Sequence, residues 1–202
     1  MGLIKIIGIL GGVASGKSLV AEQFRHLGAK VLDADQVGHE VLREPEVIQA
    51  ACERWGDAVL AEDGQIDRTK VAKIVFAPSP VGTEDLAFLE QLTHPRIGAR
   101  LEQLFERTRQ NGDTEVVILD APVMLKSGWD RFCDHILFIE APRNLRRQRA
   151  RERGWNDADF AARESAQESL ETKRAAADHV IDNSGSIDAT RQQVESFWRS
   201  LD

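Results

Sequence analysis

Glycine, lysine and a hydroxyl at fixed intervals are the residue types that hold a phosphate chain. Gly11-Gly12-Val13-Ala14-Ser15-Gly16-Lys17-Ser18 sets them out as G-x-x-x-x-G-K-[ST]. The glycines let the backbone curl, so that the N–H groups of Gly12, Val13, Ala14, Ser15 and Gly16 can point inward at phosphate oxygens. A helix starting here adds its positive N-terminal end. Lys17 can reach the β- and γ-phosphates as a point charge, and the Ser18 hydroxyl is placed to ligate Mg²⁺. The competing reading is a glycine-rich turn that merely contains Gly-Lys-Ser. The context opposes it, because an apolar run precedes the motif and a helical pattern follows. The dinucleotide fingerprint G-x-G-x-x-G cannot be read here: the positions two after Gly8 and Gly11 are Leu10 and Val13.

Two carboxylate sites extend this chemistry. Val116-Val117-Ile118-Leu119-Asp120 is an apolar strand ending in Asp. An Asp in that place assists Mg²⁺ in P-loop proteins, often through water; a turn residue at a strand end is the alternative. Asp33-Ala34-Asp35 follows a second short apolar run, and ligands of open α/β sheets sit at the carboxyl ends of strands. Phosphoryl transfer to a hydroxyl needs a group to orient it or take its proton. Asp33 is the candidate; either Asp could instead cap a helix starting near Gln36, and Asp35 is the one expected to do so. Residues 143–153 hold six arginines and one glutamate. Arg149 and Arg153, four apart, share a helix face and could carry charge from a mobile lid onto a triphosphate. Most of the six are expected to form a solvated basic face. No aromatic interleaves them, which argues against a nucleic-acid strip.

The elements that must position these groups are legible as short apolar runs. Leu3–Leu10 reads as a strand buried on both faces, and similar short runs recur at Lys30–Leu32, Val116–Leu119, Ile136–Ile139 and His179–Ile181. Val20, Phe24 and Leu27 repeat at helical spacing. So do Ile97, Leu101, Leu104 and Phe105, and Val194, Phe197, Trp198 and Leu201. Strands alternating with helices predict an α/β P-loop fold with a five-stranded parallel sheet flanked by helices. More than eighty residues separate the second and third runs, too many for one crossover helix. Ala77-Pro78-Ser79-Pro80 breaks this stretch, which reads as a helical insertion. The expected core is 1–35, 114–146 and 175–202, with an insertion at about 36–113 and a lid at about 147–174, all within one domain of 202 residues.

Composition narrows the function classes. The net charge is −7, from 26 basic and 33 acidic side chains, so the chain offers no general attraction for a nucleic-acid backbone. Cys52 and Cys133 match no metal spacing and read as buried reduced thiols. Residues Met1 to Leu10 lack the layout of a signal peptide, and no run approaches the roughly 20 apolar residues of a membrane span. A cytoplasmic location is expected, with neither membrane nor obligate protein partner. No Asn-Lys pair exists for guanine recognition, and the chain is short for motor or transport machinery. A small-molecule kinase fits best.

These residues resemble the dephospho-coenzyme A kinase family along nearly the whole chain. The likeness rests on the cradle with its paired Gly11-Gly12, on Asp33-Ala34-Asp35, and on Trp55-Gly56 where the family usually has Phe-Gly. It continues through Asp63-Gly64-Gln65-Ile66-Asp67-Arg68, Val75-Phe76 and His94-Pro95. It closes with Arg163, Gln167, Lys173-Arg174, Ala177-Asp178 and Val180-Ile181-Asp182-Asn183-Ser184-Gly185. The resemblance implies transfer of the ATP γ-phosphate to the ribose 3′-hydroxyl of dephospho-CoA, with Mg²⁺, and a helical insertion that binds the acceptor. It implies Asp33 as base, Arg149 on the triphosphate, Asn183 near the adenine and His94 on the acceptor side. A buried, hydrogen-bonded histidine is the alternative for His94. Lys126 stands where the family has an acid after Pro122-Val123-Met124-Leu125, and Arg146 where a Gln is common. The rival readings are a P-loop kinase with another hydroxyl acceptor and a nucleotide-binding regulator without catalysis.

Overall fold

The computed structural model describes residues 4–77 and 79–201. Leu3 of the expected first strand and Pro78 of the expected break lie outside the described residues. The chain divides into two compact units, Met1–Asp33 with Phe105–Asp202, and Ala34–Leu104. The first opens with β1 (Lys5–Gly11), α1 (Lys17–His26) and β2 (Lys30–Asp33). Helices α2 (Ala34–Val41), α3 (Pro45–Trp55), α4 (Arg68–Val75) and α5 (Pro80–Asn111) follow, the division falling within α5. The rest of the sheet unit is β3 (Val116–Asp120), β4 (His135–Glu140), α6 (Arg143–Glu152), α7 (Asp157–Ser165), α8 (Leu170–Ala175), β5 (His179–Asp182) and α9 (Ile187–Arg199).

The five strands form one parallel sheet in the order β2-β3-β1-β4-β5. This is the sheet the apolar runs predict, but β2 to β5 each run one residue further and end on Asp33, Asp120, Glu140 and Asp182. All four carboxylate residues therefore stand at the carboxyl edge, where ligands of such sheets bind. β1 is buried from Ile6 to Gly11, as a central parallel strand must be. Ile7, Ile9, Ile118, Leu137 and Ile139 build one core with Phe24 of α1 and Phe197 of α9. The two phenylalanine rings meet edge to face at 6.1 Å. Burying a side chain such as Phe24 stabilises by about 1.5–3 kcal/mol, so α1 is anchored against the sheet directly after the cradle.

The helical unit has its own core of Ala51, Val59, Val71 and Val75, with Trp55 and Leu89 packed against it. The family-like segment at 63–68 is a turn and a cap. Gly64 takes φ 76°, Ile66 bridges to Leu60, and the Asp67 carboxylate accepts from the N–H groups of Thr69 and Lys70 at the start of α4. Pro95 sits inside α5 and cannot donate a helical hydrogen bond. Around it, the Thr93 hydroxyl and the Arg96 guanidinium donate to the carbonyls of Leu89 and Leu92.

Two expectations are corrected. α2 begins at Ala34, two residues earlier than expected, so Asp35 lies inside its first turn and is not the cap. Alanine's high helix propensity favours starting there. Cys52 and Cys133 are free but only half-buried. No helix among the described residues is long and apolar enough to cross a membrane.

Candidate active site

The cradle joins the end of β1 to the start of α1. Its shape needs backbone angles that most residues avoid: Gly16 has φ 100° and Ala14, though not glycine, has φ 58°. A Cβ on Gly16 would come within 2.0 Å of the Asn183 amide nitrogen, and one on Gly11 within 2.5 Å of the Ser15 hydroxyl. Gly16 is therefore required by both conformation and close approach, and Gly11 by close approach. The α1 N-terminus carries no side-chain cap, so its first-turn N–H groups remain for a ligand's oxygens.

The sheet register sets the carboxylates. Asp120 pairs with Ile9 on one side and with Asp33 on the other. Both carboxylate residues thus lie at the same edge as the cradle. Lys17 Nζ stands 3.9 Å from an Asp120 oxygen, with both side chains largely shielded. Asp33 and Ser18 are exposed. A hydroxyl and a carboxylate at this place form a hard oxygen donor set that fits Mg²⁺, which binds through few protein oxygens and keeps phosphate and water ligands. Among the described residues no group of three or more His, Cys, Asp or Glu could hold a metal alone.

Three cations from the C-terminal half reach the cradle carbonyls at alternate residues. Lys173 Nζ donates to Gly11 O at 3.4 Å, Arg146 to Val13 O at 3.2 Å and Arg149 to Ser15 O at 3.1 Å. Arg149 also donates to Asn183 O at 2.8 Å. The buried Asn183 amide donates to Ser15 O at 2.7 Å and accepts from the Thr190 hydroxyl. Arg146 is 2% exposed and is satisfied by Ala141 O and the Glu164 carboxylate. The apolar side of the cradle is held too: Val13 and Ala14 pack against Ala150 and Phe160. Arg146, Lys173, Thr190 and Phe160 carry no site role in the sequence reading, and no spacing in the chain signals these contacts.

Most of the six arginines stay solvent-exposed, as expected, but four of them have carboxylate partners, and Arg146 is buried. Arg143 and Arg146 pair with Glu164, and Arg147 and Arg151 converge on Asp157 of α7. The two guanidinium groups hold the Asp157 carboxyl well below the usual range. Arg153 follows the last helical turn and is exposed. A cavity of about 680 Å³ adjoins Gly12 and Val13, but its lining holds five carboxylates against three arginines, which suits a neutral group better than phosphate. His94 is a half-buried residue of the helical unit, while every other candidate belongs to the sheet unit. Lys126 is exposed in the turn after β3.

The dephospho-CoA kinase family model matches residues 5–189. A dephospho-CoA kinase from Corynebacterium jeikeium is 38% identical over 196 residues, covering 96% of this chain and 98% of that protein. A crystal structure of a Thermus thermophilus protein superposes with a TM-score of 0.81 at 30% identity, over 99% of both chains. The fold also matches a dephospho-CoA kinase from Campylobacter jejuni, with a TM-score of 0.65 at 23% identity over 98% of this chain and 97% of that one. Family model and relatives span the cradle, the sheet and the helical insertion alike, and the chain belongs to the dephospho-CoA kinase family.

Proposed function

We propose that the chain transfers the γ-phosphoryl group of ATP to the ribose 3′-hydroxyl of dephospho-CoA, giving CoA and ADP, and that it does so in the cytoplasm. The observation carrying this is the juxtaposition of the cradle with Asp33 and Asp120, within a chain that matches the family end to end. The backbone N–H groups from Gly12 to Gly16 hold the phosphates, and Lys17 neutralises the bridging β- and γ-oxygens. Asp33 orients the acceptor hydroxyl and takes its proton as the oxygen bonds to phosphorus and ADP leaves. Arg149 turns from Ser15 toward the triphosphate as a lid of about 147–174 moves, and Asn183 stays near the adenine. The helical insertion receives the acceptor, with His94 among its contacts. Ser18 and Asp120 hold Mg²⁺, which when bound neutralises charge on the transferring group.

The test is an acceptor panel. The purified chain, with ATP and Mg²⁺, should release ADP in step with CoA only when dephospho-CoA is present. ADP release driven instead by a nucleoside or another small alcohol would replace the proposed acceptor. Binding of ATP with no turnover on any acceptor would make the chain a nucleotide-binding regulator.

A further inference from the structure

Lys173 is the one lysine among the nine described polar or charged residues that are buried, and it is 1% exposed. Its ammonium meets only neutral oxygens, Gly11 O at 3.4 Å and the Gln167 amide oxygen at 2.7 Å. No carboxylate among the described residues lies within ion-pair distance of it. A buried cation without a counter-ion is costly, and proteins otherwise pair such groups. The charged groups around it are mostly of the wrong sign. Lys17 of α1 and Arg146 of α6 oppose its charge, and Glu168 in the α7–α8 segment is the carboxylate that favours it. Arg146 has Glu164 as a partner, and Arg149 has two carbonyls in a fixed fork. Lys173 alone in the trio reaching the cradle carbonyls can lose its proton at moderate pH.

We propose that Lys173 is a positioning residue of the cradle whose missing counter-charge is the triphosphate itself, so that nucleotide binding draws a proton onto its amine. The proton comes from solvent: the neutral amine becomes ammonium as the anionic phosphates arrive at the other side of Gly11. The charge then holds the Gly11 carbonyl, which keeps the first bend of the cradle in place. Burial, with the Lys17 charge beside it, lowers the Lys173 pKa to about 8 in the empty site. At pH 8 roughly half of the molecules then have something to gain from protonation, and at pH 6.5 few do. The inference rests on the reading of the cradle as an ATP site but not on the identity of the acceptor.

Calorimetric titration with Mg²⁺ and the non-hydrolysable analogue AMP-PNP tests it. Run in two buffers of different ionisation enthalpy, the binding heats give the protons taken up. For the wild type we expect about half a proton per nucleotide at pH 8, falling toward zero at pH 6.5. Lys173→Met should abolish that difference and weaken binding, while Lys173→Arg, with a permanent charge, should bind without uptake. The comparison between chains cancels the nucleotide's own protonation, and Lys173→Arg supplies that reference if Lys173→Met does not fold. Clear binding with no uptake at pH 8 overturns the proposal, as does equal uptake by wild type and Lys173→Met. No binding heat at all overturns the nucleotide reading of the cradle, and this inference with it.

Discussion

Asp33 ends β2 in register with Asp120, and an Asp120 oxygen lies 3.9 Å from Lys17 Nζ. The proposed role of Asp33 as base predicts that it serves chemistry and not nucleotide affinity. Asp33→Asn keeps size and shape but replaces an acceptor-only carboxylate with an amide. Turnover should fall about 10²–10⁴-fold while the ATP dissociation constant changes little. Single-turnover rates beside equilibrium ATP binding check this, and near-normal turnover would remove Asp33 as the base. The placement of the cradle and of Asp33 at the sheet's carboxyl edge is legible because each is a local pattern: a contiguous motif, and an acid directly after an apolar run. Asp35 is not the cap expected of it because α2 starts on Ala34, which puts Asp35 inside the first turn and leaves Asp33 as the residue before the helix. Arg146 and Lys173 were not legible as cradle partners, since they act on residues 133 and 162 positions away in the chain. A sequence pattern reports neighbours along an element, and only the fold brings these side chains to Val13 and Gly11.

Helices α6 and α7 form a clasp whose charges were half visible. The six arginines are obvious in composition, but Asp157 and Glu164, which pair with four of them, belong to the next helix and show in no local pattern. Asp157 accepts from two arginines at once and caps no backbone group of its own helix, a task that Asn156 performs. Its carboxyl is held below the usual range, so the clasp is present above the ordinary aspartate pKa of about 3.9 and is lost as pH falls through the lower folded value. Pairs this exposed contribute little to global stability. Asp157→Asn should therefore speed amide exchange across 143–165 at pH 7 and leave the main melting transition in place. Exchange mapped by mass spectrometry decides between a local clasp and a global one. Unchanged exchange in this segment would show that Phe160, buried against Val13 and Ala14, holds α7 by itself.

At the scale of the whole molecule, an acidic chain of net charge −7 gathers Lys17, Arg146, Arg149 and Lys173 at one edge of one sheet. Every group proposed to face the phosphates belongs to the sheet unit, and the helical unit has a separate core. Nucleotide binding should accordingly stabilise the sheet unit first. ATP at about 100 times its dissociation constant adds about 2.7 kcal/mol to whatever unfolds with the cradle. For a chain of this length each kcal/mol moves a melting midpoint by roughly 2–4 °C, so the expected rise is about 5–10 °C. Scanning calorimetry reads this directly. If the two units melt apart, ATP should move one transition and leave the other. Repeating the scan at the same ATP concentration with EDTA removes the ion that Ser18 and Asp120 are proposed to hold, and the rise should shrink because affinity falls. An equal rise with and without EDTA would mean that the cradle and Lys17 bind the phosphates without metal, and would leave Asp120 as the counter-ion of Lys17 alone.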